Sequence, residues 1–228
     1  MQDLAKSALI IGASRGIGFE LARQYREDKW DVIGTARDEA GLARLAAIGA
    51  KTIKLDVTAA DAPALLQAGI ADARLDLAVY CAGVVGPRTL KLEAPTEAEF
   101  EAVMRINVLA AMTLAPLTGP ALARSAGTLA VISSRMGSIG VRSATTGWLY
   151  RASKAALNSA LKDMSLVLGP QGVTCVTLHP GWVRTDMGGA GADIDVATSV
   201  SGMRAALAAL TQERNGSFLN YDGSEIPW

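Results

Sequence analysis

The residues with the plainest chemical potential are Tyr150 and Lys154. They stand at i and i+4, so on a helix a phenol and an ammonium share one face. Asn107, the pair Ser133-Ser134, and His179-Pro180-Gly181 with Thr185 just beyond are further polar or turn-forming sets along the chain. A different group of residues suits an anion. Gly12-Ala13-Ser14-Arg15-Gly16-Ile17-Gly18 follows the apolar run Ala8-Leu9-Ile10-Ile11 and opens a helical pattern. Glycines let the backbone turn sharply and approach a phosphate, and the helix behind them presents free amides and the positive end of its dipole. A glycine-rich string also serves ordinary surface turns, but its place between a strand and a helix favours phosphate binding at Gly12, Ser14, Arg15, Gly16, Ile17 and Gly18.

Folds that bind NAD place an acidic residue about 20 residues further on, against the ribose 2′-hydroxyl. Here the second strand-like run ends in Thr35-Ala36-Arg37, and Asp38 and Glu39 come only afterwards. Arg15 and Arg37 converging on one spot suit a 2′-phosphate held by charge-assisted forks, which favours NADPH over NADH. The plainer alternative has Arg37 solvated at a helix start and Arg15 packed over the loop. Asp56 is placed either for an adenine amino group or to close an Asx-turn.

Composition excludes other chemistries. Two cysteines, Cys81 and Cys175, and one histidine, His179, are too few for a disulfide framework or a four-ligand Cys/His zinc site. No metal site is expected. Both cysteines read as small core residues in a reduced, cytoplasmic setting. A Ser-His-Asp hydrolase would have to rely on His179, which the following Pro180-Gly181 makes unsuitable. Lys and Arg total 22 and Asp and Glu total 22, so bulk charge gives no reason to expect nucleic acid or an anionic membrane as partner. Aromatics are only 5%, which leaves few platforms for stacking bases. Asp3 and Lys6 interrupt any signal-peptide pattern, and no run of about 18 apolar residues predicts a membrane span.

The elements that must position these groups alternate along the chain. Strands are predicted at 8–11, 31–36, 51–55, 75–80, 129–132, 173–178 and 217–220. Helices are predicted at 16–29, 38–48, 149–168 and 197–210. A long helix should start at Thr96, where Thr96 and Glu99 form a capping-box pattern, and run to about 115, where Pro116 predicts a bend or break. This alternation predicts an α/β doubly wound parallel sheet, Rossmann-like, of about seven strands with helices on both faces. At 228 residues it is read as one dinucleotide-binding catalytic domain spanning the chain. The ligand crevice should lie at the carboxyl ends of the strands, just after residues 11, 36, 55, 80, 132 and 178.

Taken in order, the glycine loop, Asp56-Val57, Ala82-Gly83, Asn107, Ser134, Tyr150-x-x-x-Lys154 and Pro180-Gly181 make the chain resemble the classical short-chain dehydrogenase/reductase family over nearly its whole length. The gap from serine to tyrosine and Asn220-Tyr221-Asp222-Gly223 are most similar to its C-factor and Sniffer-type carbonyl reductase branch. The resemblance implies that Tyr150 exchanges a proton with a carbonyl or alcohol oxygen, its pKa lowered by Lys154 and by the oxidised cofactor. It implies that Ser134 orients that oxygen, Ser134 rather than Ser133 because Gly137 follows three residues on. Lys154 would also hold the nicotinamide ribose, Asn107 would place a backbone carbonyl for a water relay, and Thr185 would bond the carboxamide. Val57, Ala82, Gly83, Pro180, Gly181 and Val183 complete the implied cofactor contacts, and His179 is read as structural.

Two departures from the family pattern stand out. The usual Asn-Asn-Ala-Gly is Tyr80-Cys81-Ala82-Gly83, which puts sheet-stabilising side-chain bonds in doubt. The segment 186–196, where relatives carry lid helices, is short and glycine-rich, predicting a mobile, minimal lid. Substrate contacts are therefore expected from Met136, the stretch 143–149 ending in Leu149, Trp182 and Met187. The expected function is NADP(H)-dependent reduction of a ketone or aldehyde to an alcohol, or the reverse. The alternative is an NADP(H)-binding signalling or regulatory protein with little turnover. The expected partner is a small-molecule carbonyl or alcohol, in a homodimer or homotetramer.

Overall fold

The computed structural model describes residues 5–228. Its strands are β1 (Ser7–Ile11), β2 (Asp31–Ala36), β3 (Lys51–Lys54), β4 (Leu77–Tyr80), β5 (Thr128–Ile132), β6 (Thr174–His179) and β7 (Ser217–Asn220). They form one sheet in the order β3-β2-β1-β4-β5-β6-β7, every neighbouring pair parallel. The order reverses direction between β1 and β4, and a crevice opens beyond their carboxyl ends at such a point.

Successive strand residues face opposite sides of the sheet, so each strand feeds two cores. Leu9 and Ile11 of β1, Ala78 and Tyr80 of β4 and Leu129 and Val131 of β5 belong to one core. Ala8 and Ile10, Leu77 and Val79, and Ala130 and Ile132 belong to the other. Because both faces are covered, no polar alternation marks the central strands, and all four residues of β4 are buried. Helices α1 (Gly16–Glu27) and α2 (Glu39–Ala47) pack on the second face through Leu21, Tyr25 and Leu45. The remaining helices are α3 (Ala62–Ile70), the composite α4 (Glu97–Ala123), α5 (Trp148–Leu168) and α6 (Val196–Ala208). Leu66, Leu114 and Leu161 bring α3, α4 and α5 to the first face, and Val200 and Met203 bring α6 to the second.

Two elements differ from the expectations above. Helix α3 lies between the third and fourth strands, where no element is predicted, and it contains Pro63 and Gly69, two residue types that disfavour helix interiors. Pro63 sits in the first turn, where its missing N–H costs nothing. Gly69 lies so close to Ile53 that a Cβ there would meet the Ile53 side chain at 2.4 Å. The long helix does start at a Thr96–Glu99 capping box. As Pro116 predicts, its α-helical run ends at Leu114 and breaks into a 3-10 turn, Ala115–Thr118, but a further α-helical stretch, Gly119–Ala123, carries the element beyond the expected end. By length and composition α4 could cross a membrane, with mean hydropathy 1.5 over its most apolar window, but half of that window is buried inside the chain.

Candidate active site

A cleft of about 580 Å³ runs across the carboxyl ends of the strands. Its first half is built from backbone. The glycine loop hangs from β2: Gly12 N–H donates to Thr35 Oγ1 at 3.0 Å and Ala13 N–H to the Thr35 carbonyl at 2.8 Å. Gly12 has φ +89° and faces the Ala82 backbone, where a Cβ would sit 2.7 Å from the Ala82 nitrogen. At Gly18 a Cβ would sit 2.2 Å from the Gly12 carbonyl oxygen. The α1 N-terminus behind the loop has no side-chain cap and no acidic residue in its first turn. Its amides are therefore available to an anion. Gly12, Ser14, Arg15, Gly16, Ile17, Gly18, Arg37, Asp56, Val57, Ala82 and Gly83 all line this half.

Of the carboxylates after β2, Asp38 lines the cleft together with Arg37, but both it and Glu39 already have partners. Asp38 Oδ1 accepts the Gly41 amide at 2.7 Å and caps α2, while Glu39 pairs with Lys54 at 2.6 Å. That leaves Arg37 lining the cleft beside an α2 residue that sequence reasoning missed. Arg44 lines the same wall and its Nε donates to the Ser14 carbonyl at 3.0 Å. The helical pattern of Leu42, Leu45 and Ile48 drew attention to the buried face of α2, whereas Arg44 lies on the exposed one. Arg15 is exposed and pairs at 3.1 Å with Asp186 of the lid segment. Asp56 lines the cleft, yet its Oδ1 closes a local turn by accepting the Thr58 amide and hydroxyl at 2.9 and 2.8 Å. Small glycines, free helix amides and the Arg37 guanidinium on the wall together fit a dinucleotide phosphate group.

The other half is built from side chains. Tyr150 and Lys154 line it from the first turns of α5, and both are buried. Lys154 Nζ donates to the Ile132 carbonyl at 2.9 Å, at the end of β5, and lies 5.7 Å from the centre of the Tyr150 ring. Burial pushes the Lys154 ammonium down to about 8. Burial pushes the Tyr150 phenol up to about 12, against the opposing hydrogen bond of Ser134. The fall expected from Lys154 is thus not delivered by the chain alone: desolvation of the phenol outweighs the Ser134 hydrogen bond that opposes it.

Ser133 and Ser134 are separated by their partners. Ser133 Oγ donates to Asn158 Oδ1 at 2.6 Å, so its proton is spent inside the core. Ser134 Oγ accepts the Met136 amide at 3.1 Å and retains its own proton to donate toward Tyr150. Asn107 is fully buried in a wide, π-type turn of α4, Arg105–Leu109. Its side chain accepts the Val84 amide and donates to the Val84 carbonyl, both at 2.8 Å, and donates to Ser153 Oγ at 3.0 Å. It lies behind the cleft wall; a Cβ on Gly83, in front, would stand 3.3 Å from Asn107 Oδ1 and 3.4 Å from Lys154 Nζ, a tight fit.

The exit of β6 closes the far end. Pro180 and Thr185 line the cleft, Thr185 Oγ1 accepting the Gly188 amide at 3.0 Å as the cap of a short turn. Gly181 and Val183 do not line it. Gly181 takes φ +85° beneath the Tyr221 ring, and Val183 is buried in a bridge with Ile194. His179 is held well below its ordinary range, at about 4, by burial and then by Arg135, so it is uncharged. The lid segment has no helix. It is tied down by Arg184 N–H to the Ile194 carbonyl at 2.9 Å and Trp182 Nε1 to the Gly188 carbonyl at 2.9 Å.

Of the four expected substrate residues only Met187 lines the cleft. Leu149 is buried among the α5 contacts, the Met136 side chain packs at Gly147, and the Trp182 indole is turned to Gly188. Cys81, Val84, Ile106 and Ile132 line the cleft instead, unmarked in the sequence because they look like ordinary core residues.

The chain matches the family model described as short chain dehydrogenase over residues 6–194. It is 40% identical to the protein named C-signal of Myxococcus xanthus over 132 residues, 58% of this chain and 80% of that protein. A short-chain dehydrogenase/reductase from Burkholderia multivorans, solved with bound NADP, superposes with TM-score 0.89 at 28% identity, covering 99% of this chain and 100% of that one. The carbonyl reductase Sniffer of D. melanogaster superposes with TM-score 0.88 at 29% identity over 99% of this chain and 100% of its own.

Proposed function

The chain belongs to the short-chain dehydrogenase/reductase family, and from that premise we propose that it is an NADP(H)-dependent carbonyl reductase or alcohol dehydrogenase with Tyr150 as its acid and base. NADPH supplies the hydride to the carbonyl carbon. Tyr150 gives its proton to the carbonyl oxygen. Its phenol, pushed up to about 12, stays protonated at neutral pH, the form reduction needs. Ser134 holds the same oxygen with its hydroxyl proton, whereas that of Ser133 is donated to Asn158. Lys154, anchored on the Ile132 carbonyl, brings the positive charge that favours the phenolate in the reverse direction.

The observation that carries this reading is the meeting of Tyr150 and Lys154, with Ser134 bonded to Tyr150 from outside the cleft lining that its neighbour Ser133 joins, at one end of a cleft whose other end is a glycine cradle. The preference for NADPH rests on Arg37 and Arg44 on the cleft wall and on Asp38 and Glu39 already having partners. Similarity to proteins solved with NADP adds to it. The test is a panel of ketones and aldehydes with NADPH and NADH in parallel, followed by loss of cofactor absorbance. Turnover with NADPH supports the proposal; no turnover with any carbonyl overturns it. A second reading, an NADP(H)-binding signalling protein with little turnover, rests on the similarity to C-signal. Tight NADPH binding without turnover in the same panel would favour it.

We also propose a homodimer or homotetramer. Leu109 and Met112 of α4 and Leu166 and Val167 of α5 are exposed apolar residues that a second copy would cover. Sedimentation of the wild type as a monomer would remove this part of the proposal.

A further inference from the structure

Tyr80 is the largest fully buried side chain in the molecule and occupies the position where the family pattern has an asparagine. It ends β4 and points to the α4 side of the sheet. Its hydroxyl donates to the Ile106 carbonyl at 3.0 Å. That carbonyl is unusual. In an α-helix it would accept the Ala110 amide, but in the wide turn the Ala110 amide reaches back to Arg105. The turn therefore strands a half-buried acceptor at the cleft wall, and Tyr80 satisfies it.

The residue after Ile106 is Asn107, which clamps both backbone groups of Val84 and donates to Ser153 Oγ. Ser153 Oγ in turn donates to the Tyr150 carbonyl at 2.8 Å. A continuous path of hydrogen bonds and backbone runs from the end of β4, through the wide turn, to the backbone of the proposed acid.

We propose that Tyr80 is a positioning residue for the reaction: by holding the Ile106 carbonyl it fixes the wide turn of α4, and so sets Asn107 and the first turn of α5. The carbonyl reductase reading supplies the reaction; the brace on the turn stands apart from it. A simple packing role would be met equally well by phenylalanine. The hydroxyl bond is what phenylalanine removes, leaving the half-buried Ile106 carbonyl without its protein partner.

The experiment compares wild type with Tyr80→Phe. Amide exchange over residues 105–110 is read in the absence of cofactor, and kcat, KM for NADPH and the pH profile are read with a carbonyl substrate. The expected result is faster exchange confined to that turn, kcat down about ten- to hundredfold, an altered pH profile, and unchanged KM for NADPH. Unchanged exchange together with unchanged kcat overturns the proposal. Ser153→Ala cuts the same path at its other end and carries the test if Tyr80→Phe does not fold. In that case too, unaltered exchange and kcat overturn it. In the double variant, losses that multiply would show two independent effects and overturn the common path; losses no larger than the greater single one support it. If the wild type reduces no carbonyl, the functional reading fails, while the exchange measurement still decides whether Tyr80 holds the turn.

Discussion

The two ends of the cleft are made of different material. At the glycine loop the working surface is backbone: Gly12 and Gly18 leave no room for a Cβ, and the donors are amides. At the Tyr150 end the working surface is side chains, and each is held by another group: Lys154 by the Ile132 carbonyl, Asn107 by Val84 and Ser153. A backbone site is broken by adding atoms. A side-chain site is broken by removing them. The first should fail in cofactor affinity, the second in turnover.

The largest effect expected from that contrast is at Tyr150. Tyr150→Phe removes one oxygen and should lower kcat by about 10²- to 10⁴-fold, with NADPH binding retained. Titration of NADPH fluorescence alongside turnover checks both halves of the statement. A fully active variant would falsify the assignment of Tyr150 as the acid. The opposite experiment is Gly18→Ala, which would place a methyl 2.2 Å from the Gly12 carbonyl oxygen. The loop must shift, and KM for NADPH should rise about a hundredfold while kcat at saturating cofactor changes much less. Equal losses in kcat from both variants would erase the distinction between the two ends.

The same contrast explains what could be read from the chain beforehand. Backbone sites announce themselves, because only glycine satisfies them, and the loop from Gly12 to Gly18 stands where a strand meets a helix. The strand ends were legible for a similar reason: apolar runs such as Leu129-Ala130-Val131-Ile132 end in polar or glycine residues at the crevice. Side-chain sites depend on partners distant in sequence. Nothing near Ser133 and Ser134 reveals that Asn158 takes the proton of one of them. Helix α3 is hard to read because proline and glycine have two meanings, breaker and close-packing residue, and only Ile53 across the interface decides between them. The pocket residues Met136, Leu149 and Trp182 were chosen by nearness in sequence to the reacting groups, yet each points to another neighbour.

A third way to sharpen the comparison lies inside the cofactor half, where two arginines do different work. Arg37 lines the cleft, and no protein partner accepts from its guanidinium among the hydrogen bonds and ion pairs of the described residues. Arg44 also bonds the Ser14 carbonyl and so braces the loop. Arg37→Ala should weaken NADPH about tenfold and leave NADH nearly unchanged, since only the phosphate contact is lost. Arg44→Ala should weaken both cofactors by a few-fold, because the loop itself loosens. Measured KM values for the two cofactors in each variant make the check. Equal loss of NADH and NADPH in Arg37→Ala would remove the 2′-phosphate reading.

The smallest effect expected is a pH dependence in which stability and activity move in opposite directions. Burial lowers Lys154 from 10.5 to about 8. Between those values the unfolded chain holds a proton that the folded chain has released, so the contribution of Lys154 to stability grows as pH rises through that window and is lost as pH falls through about 8. The ammonium proposed to orient the cofactor and favour the phenolate disappears over the same rise, so turnover should decline. Other groups oppose the stability trend: Cys81 and Cys175 are pushed by burial from 9.0 to about 12, and Tyr150 from 10.0 to about 12. Each keeps a proton that the unfolded chain loses, and each therefore destabilises the fold as pH rises. Tyr25 and Tyr80, also raised by burial, act in the same sense, and the Lys154 effect is isolated by subtracting the denaturation curve of Lys154→Met, which keeps all these groups. The wild type should gain on the variant from about pH 8 to 10. A difference that stays flat across that range would mean that Lys154 keeps its proton when folded, and the alkaline loss of turnover would then belong to another group.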